Sequence, residues 1–178
     1  LHIGNYHSFE GNNISSIDLS LNTELRIFSI GMTNLGAIDL SNNNLLTKLN
    51  LTSLSNMSQL DITNLIFLEE LNIGGTPISQ IDLSNNTNLN TYFGLYNSYV
   101  GPLVLDFSNN PNLENLQLRK GRVNELIFAH SSLKYLGLES SSINFLEIGS
   151  DYLSNLEYLQ IRNQILDTEM FEFTTNNN

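Results

Sequence analysis

The 178-residue chain contains no cysteine, which excludes disulfides and thiolate metal sites outright. Charge is scarce too: Asp, Glu, Lys and Arg make up 14% of the residues, and 7 cations face 18 acids. The net charge of −11 argues against a nucleic-acid partner, because phosphate binding needs clustered Lys and Arg, and against an anionic membrane surface. No apolar run approaches the roughly 18 residues of a membrane-spanning helix, so direct membrane insertion is not expected. Helical periodicity is missing as well. No window carries apolar residues at i, i+3, i+4 and i+7 over ten or more positions. Catalytic motifs are equally thin: there is no G-x-S-x-G, no Walker loop and no G-x-G-x-x-G. His2, His7 and His130 have no spacing that suggests a metal site or a dyad, and Glu69-Glu70 points its neighbouring side chains apart. Nothing calls for a cofactor, a metal or a catalytic residue.

What fills the chain instead is Asn, Ser and Thr around an apolar content of 40%, in a length that fits one domain. One segment keeps returning: Ile17-Asp18-Leu19-Ser20, Ile38-Asp39-Leu40-Ser41, Leu60-Asp61-Ile62-Thr63, Ile81-Asp82-Leu83-Ser84 and Leu105-Asp106-Phe107-Ser108. Between and after these copies come other apolar-x-apolar triplets, such as Phe28/Ile30, Leu49/Leu51, Leu71/Ile73, Tyr92/Gly94 and Leu116/Leu118. A triplet arrives every 10 to 13 residues. Alternation with period two sends the apolar pair to one side and the residue between them to the other. Two triplets make one period of 20 to 24 residues, marked by Leu25, Leu46, Leu68, Leu89, Leu113, Leu133 and Leu156. A segment repeated at such a period is one winding of a solenoid, which can bury its apolar face only against its neighbours.

Half of each winding reads L-x-x-L-x-L-x-x-(N)-x-L, as in Leu68-x-x-Leu71-x-Ile73-x-x-Thr76-x-Ile78. The chain therefore resembles the short leucine-rich repeats common in secreted and surface proteins of Bacteroidota-type bacteria, over roughly residues 14–166. It departs from them where their usual Cys is Ile30, Leu51, Ile73, Gly94, Leu118, Leu138 or Ile161. Their first-half Asn is Thr33, Leu54, Thr76, Gly121 or Ser141, with Asn97 retained. The fold expected is a leucine-rich-repeat solenoid: mainly β, with parallel strands on two faces, little or no helix, and nearly straight. Residues 1–13 are read as an N-terminal edge strand and irregular link, 14–166 as an array of about seven coils, and 167–178 as a C-terminal cap and disordered tail. The start at Leu1, without a Met or a signal-like segment, reads as a piece of something longer.

Three sets of side chains follow from this register. The turn positions Asn22, Asn43, Asn86 and Asn110 are expected to form an inward structural ladder, because a buried turn needs hydrogen-bond partners and an Asn offers both donors and an acceptor. Leu65, Ser131 and Asp151 interrupt that series and should mark less regular coils. A second column, Asp18, Asp39, Asp61, Asp82 and Asp106, faces the opposite way. Each Asp either accepts from the Ser or Thr two residues on and from turn amides, or takes part in binding divalent cations. The third set lies on the outward face of the first-half strands: Phe93, Gln117, Arg119, Tyr135, Glu139, Tyr158, Gln160 and Arg162. Aromatics beside Arg and amides suit a contact surface, though exposed aromatics are also ordinary cross-strand packing. In leucine-rich repeats the corresponding face is the usual ligand surface, so the resemblance implies a ligand there.

The function expected is a non-catalytic, protein- or glycan-binding module of an exported bacterial protein, monomeric and located outside the cell or on its surface. A structural spacer within a larger surface protein is the alternative. A carbohydrate-active enzyme would require a deep cleft with convergent carboxylates, which the longer coil from Asn97 to Leu113 could best accommodate.

Overall fold

The computed structural model describes residues 2–3, 13–94, 103–128, 132–139, 142–146 and 154–162. Strands and turns alternate along the chain. β1 (His2–Ile3), β2 (Ile27–Gly31), β3 (Lys48–Thr52), β4 (Glu70–Asn72) and β5 (Thr91–Gly94) come first. They are followed by β6 (Leu103–Asp106), β7 (Asn115–Arg119), β8 (Arg122–Ile127), β9 (Tyr135–Glu139), β10 (Ser142–Leu146) and β11 (Tyr158–Arg162). Eight of them make one parallel sheet in the order β1-β2-β3-β4-β5-β7-β9-β11, and three make a second in the order β10-β8-β6. Among the described residues there is no helix. The chain folds as a parallel-strand solenoid.

Register turns the alternation into a core. Phe28 pairs with Leu49, Leu49 with Leu71, Leu71 with Tyr92, Tyr92 with Leu116, and Leu116 with Leu136. Every member of that column is buried. Tyr92, the largest fully buried side chain, lies edge-on to Phe107 with ring centres 5.2 Å apart, and Phe107 stacks on Phe128 at 6.0 Å. Burial pushes the Tyr92 phenol well above its ordinary value. This aromatic core sits where the second sheet begins.

The second half of the winding is built in two ways. From β6 onward it is a strand, with Leu105 paired to Leu126 and Leu126 to Leu146. Before β5, the described I-D-L-S segments form no ladder and are instead shaped by paired turns. In each winding the ladder-position N–H donates to the carbonyl three residues back, and its own carbonyl accepts from three residues on. Leu40–Asn43–Leu46, Ile62–Leu65–Leu68 and Leu83–Asn86–Leu89 all do this at 3.0 to 3.1 Å. Strands on two faces are thus present, but the second face is stranded only in the C-terminal part. Each first-sheet strand runs into a left-handed residue wherever the following turn is described: Met32, Ser53, Gly75 and Lys120, with φ between 47° and 79°. The reading of residues 167–178 as a cap, and those of Asn97, His7, His130, Ser131 and Asp151, lie outside the described residues, as does most of the 1–13 segment.

Candidate binding face

The corner where the paired turns meet drives one side chain inward, and there the amides stitch winding to winding. Asn43 Nδ2 donates to the carbonyls of Leu19 and Asn22 at 3.0 and 2.9 Å. Asn86 Nδ2 does the same to Ile62 and Leu65, and Asn110 Nδ2 to Leu83 and Asn86. All three amides are buried, and their Oδ1 atoms accept nothing from the protein. The ladder uses only the donors, reaching backward. Asn22 is exposed at its beginning. Leu65 does not leave its winding irregular. Both of its turns close at 3.0 and 3.1 Å, and Asn64, one residue earlier, donates to Leu40 O at 2.9 Å in its place. Asn64 was missed in the sequence because it stands one position out of frame. A second, exposed row (Asn85, Asn88 and Asn112) repeats the stitch to Thr63, Ile66 and Thr87. Where the first-half Asn is replaced by Thr76, the hydroxyl donates to Ile73 O.

The Asp column is occupied by its own turns. Oδ1 of Asp18, Asp39, Asp61, Asp82 and Asp106 accepts the N–H of the residue two on, at 2.8 to 3.0 Å. These bonds hold the carboxyls of Asp18, Asp39, Asp61 and Asp82 below their usual value. The backbone N–H leads at Asp18 and Asp39, the Thr63 hydroxyl at Asp61 and the Ser84 hydroxyl at Asp82. Among the described residues no group of three or more His, Asp or Glu is placed to hold a metal ion.

On the outward face of the large sheet, register lines up Thr91, Asn115, Tyr135 and Tyr158 in one column, and Asn72, Phe93, Gln117, Gly137 and Gln160 in the next. Arg119, Glu139 and Arg162 form a third. Tyr135 and Tyr158 stack with ring centres 5.0 Å apart and planes 7° apart. Tyr135 also lies across Gly137, where an added Cβ would come within 2.8 Å of its Cε1, so only glycine admits the ring. Gln160 Nε2 donates to Tyr135 Oη at 2.9 Å, and its Oε1 accepts from Arg162 Nε at 2.8 Å. Gln117 Oε1 accepts from Arg119 Nη2 at 2.8 Å, while Arg119 Nε lies 3.3 Å from Glu139 Oε2. Seven of the eight predicted face residues thus form one contiguous strip over β7, β9 and β11. Phe93 stands half-buried beside Gln117 on β5, at its margin. Residues 95–102 of the longer coil, where a catalytic cleft would fit best, lie outside the described residues.

The fold has a counterpart among solved structures. The functional domain of InlJ from Listeria monocytogenes, described as including a cysteine ladder, superposes with a TM-score of 0.56 at 23% identity. The match covers 83% of this chain and 37% of that one. The fold is that of a leucine-rich-repeat solenoid. No protein-family model matches the chain, and no curated protein sequence does. Without cysteine, this solenoid fills its inward columns with Leu and Ile.

Proposed function

We propose that the chain is a non-catalytic interaction module of an exported bacterial protein, acting outside the cell or on its surface. It binds a protein or glycan ligand through the strip from Phe93 to Arg162. The observation that carries this reading is the Tyr135–Tyr158 stack set beside two Gln–Arg pairs. It puts an aromatic platform and planar hydrogen-bonding groups on one rigid sheet, the combination that contact surfaces favour. The likeness to the InlJ domain supports a repeat module, and a monomer that acts through its face suits a solenoid. The test is a screen against glycan and surface-protein libraries, repeated with Phe93, Tyr135 and Tyr158 all replaced by Ala. Loss of the ligand in the triple variant is the expected result, and undiminished binding would remove the strip from consideration.

A second reading, a structural spacer, draws on the same network: Tyr135, Gln160 and Arg162 already satisfy one another, as do Gln117, Arg119 and Glu139. A spacer would yield no ligand in the screen, and neighbouring domains would keep working when the array is exchanged for another of equal length.

A further inference from the structure

Among the described residues the large sheet ends at β11, and its core is open there. Leu159 continues the inward column that is fully buried at Leu116 and Leu136, yet it is 40% exposed, and Tyr158 is 50% exposed. Three columns that end there have a pattern that specifies the next member. At the start of the strands Glu114, Lys134 and Glu157 alternate in sign, with Lys134 paired to Glu114 at 2.9 Å. At the end Arg119, Glu139 and Arg162 alternate in the opposite sense. Between them Tyr158 already stacks one ring face on Tyr135. The backbone is set up likewise. Arg26, Thr47, Glu69, Asn90, Glu114 and Lys134 each offer a carbonyl that accepts two successive N–H groups from the following strand, and Glu157 is next in that series.

We propose that the outer edge of β11, the last strand among the described residues, is a docking site for an extended peptide strand from a partner protein. The strand adds in parallel and has the pattern basic–aromatic–aliphatic–x–aliphatic–acidic. Its Lys or Arg faces Glu157, its ring covers Tyr158, its two aliphatic side chains continue the columns of Leu159 and Ile161, and its Asp or Glu faces Arg162. Opposite charges directly across a strand pair are favourable and like charges unfavourable, so the two alternating columns fix both direction and register. An unpaired strand edge supplies the affinity through main-chain bonds. The site is the rim of the sheet, and it stands whether or not the outward face has a ligand of its own.

β9 has this pattern in Lys134-Tyr135-Leu136-Gly137-Leu138-Glu139 and already lies between two such strands. A nine-residue peptide with the sequence of residues 132–140 is therefore the probe, titrated into the isotope-labelled full chain and followed by amide chemical shifts. Shifts concentrated on residues 157–162 are expected. A peptide with Lys134→Glu and Glu139→Lys should bind about tenfold more weakly, from two columns of like charge. A chain carrying Glu157→Lys and Arg162→Glu should reverse that preference. The proposal is overturned if millimolar peptide leaves residues 157–162 unmoved, as it would if residues 163–178 or a second copy already held the edge. It is also overturned if the two peptides bind the unaltered chain equally, or if the shifts fall on Phe93 and Gln117 instead. The comparison of the two peptides on the unaltered chain stands even if the double variant fails to fold.

Discussion

The windings before β5 and those after it join to their neighbours by different means on the second face. In the first group side-chain amides cross from one winding to the last: Asn43 to Leu19 and Asn22, Asn64 to Leu40, Asn86 to Ile62 and Leu65. In the second group β6, β8 and β10 cross with backbone bonds, and among the described residues the winding of Asn110 has both a strand and an amide stitch. A solenoid needs its buried backbone groups bonded at every step, and either kind of bond will do. The consequence is chemical. Amide stitching depends on single residues, whereas a strand ladder spreads the same task over a backbone that substitution leaves intact.

The core is common to both groups, so it sets the scale against which that contrast can be broken. Leu71→Ala and Leu136→Ala, each fully buried, should each lower unfolding free energy by about 2–5 kcal/mol in denaturant titrations. A loss below about half a kcal/mol at either would contradict its place in the interior. Next comes the stitch itself. Asn86→Ala removes one of two donors from each of two buried carbonyls, which keep their turn N–H, and the two lost bonds should cost about 1–3 kcal/mol, against less than about 1 kcal/mol for the exposed Asn88→Ala. Equal losses at the two sites would mean that burial does not decide the strength of the stitch.

Acid separates the groups further. Carboxyls held below their usual value in the fold stabilise it fully above the unfolded value, and that contribution fades as pH falls below about 4 through the lowered folded values. Four such carboxyls lie in residues 18–82. Hydrogen exchange should therefore show amide protection declining first in these windings, and Asp61→Asn should blunt the decline there, since an amide oxygen can still accept the Thr63 N–H. Uniform loss along the chain would count against the turns as its origin. The smallest effect concerns a feature the groups share. Ser53→Gly and Lys120→Gly relieve a left-handed backbone, at φ 54° and 47°, and should each stabilise by about 0.5–1 kcal/mol. Gly75→Ala should do the reverse, with a Cβ held 3.0 Å from Ser53 Cα at φ 79°. Thermal melts read all three.

Much of this was legible in the sequence because the Leu and Ile spacing determines which side chains face inward, and one column from Phe28 to Leu136 follows from it directly. What the spacing could not tell is whether an extended segment pairs its backbone. Ile81-Asp82-Leu83 alternates as cleanly as Leu116-Gln117-Leu118, yet only the latter is a strand. The bond from Ser84 N–H to the Asp82 carboxylate does not decide it, since Asp106 at the end of β6 accepts the same bond from Ser108. The face residues could be named, but not the bonds among them. Tyr135 and Gln160 are 25 positions apart, and their contact depends on a register that unequal windings obscure. Asn64 shows the converse: the residue type was visible, but its capacity to serve from a neighbouring position was not.

The amides of Asn43, Asn64, Asn86 and Asn110 all donate toward the preceding winding, which gives the stack a polarity. Removing windings from the leading end would turn the NH2 group of the first survivor to water, as at the exposed Asn22. Removing them from the trailing end leaves only carbonyls that already accept a turn N–H. Assembly that begins at the amino end therefore always meets ready acceptors, in the same sense as ribosomal synthesis.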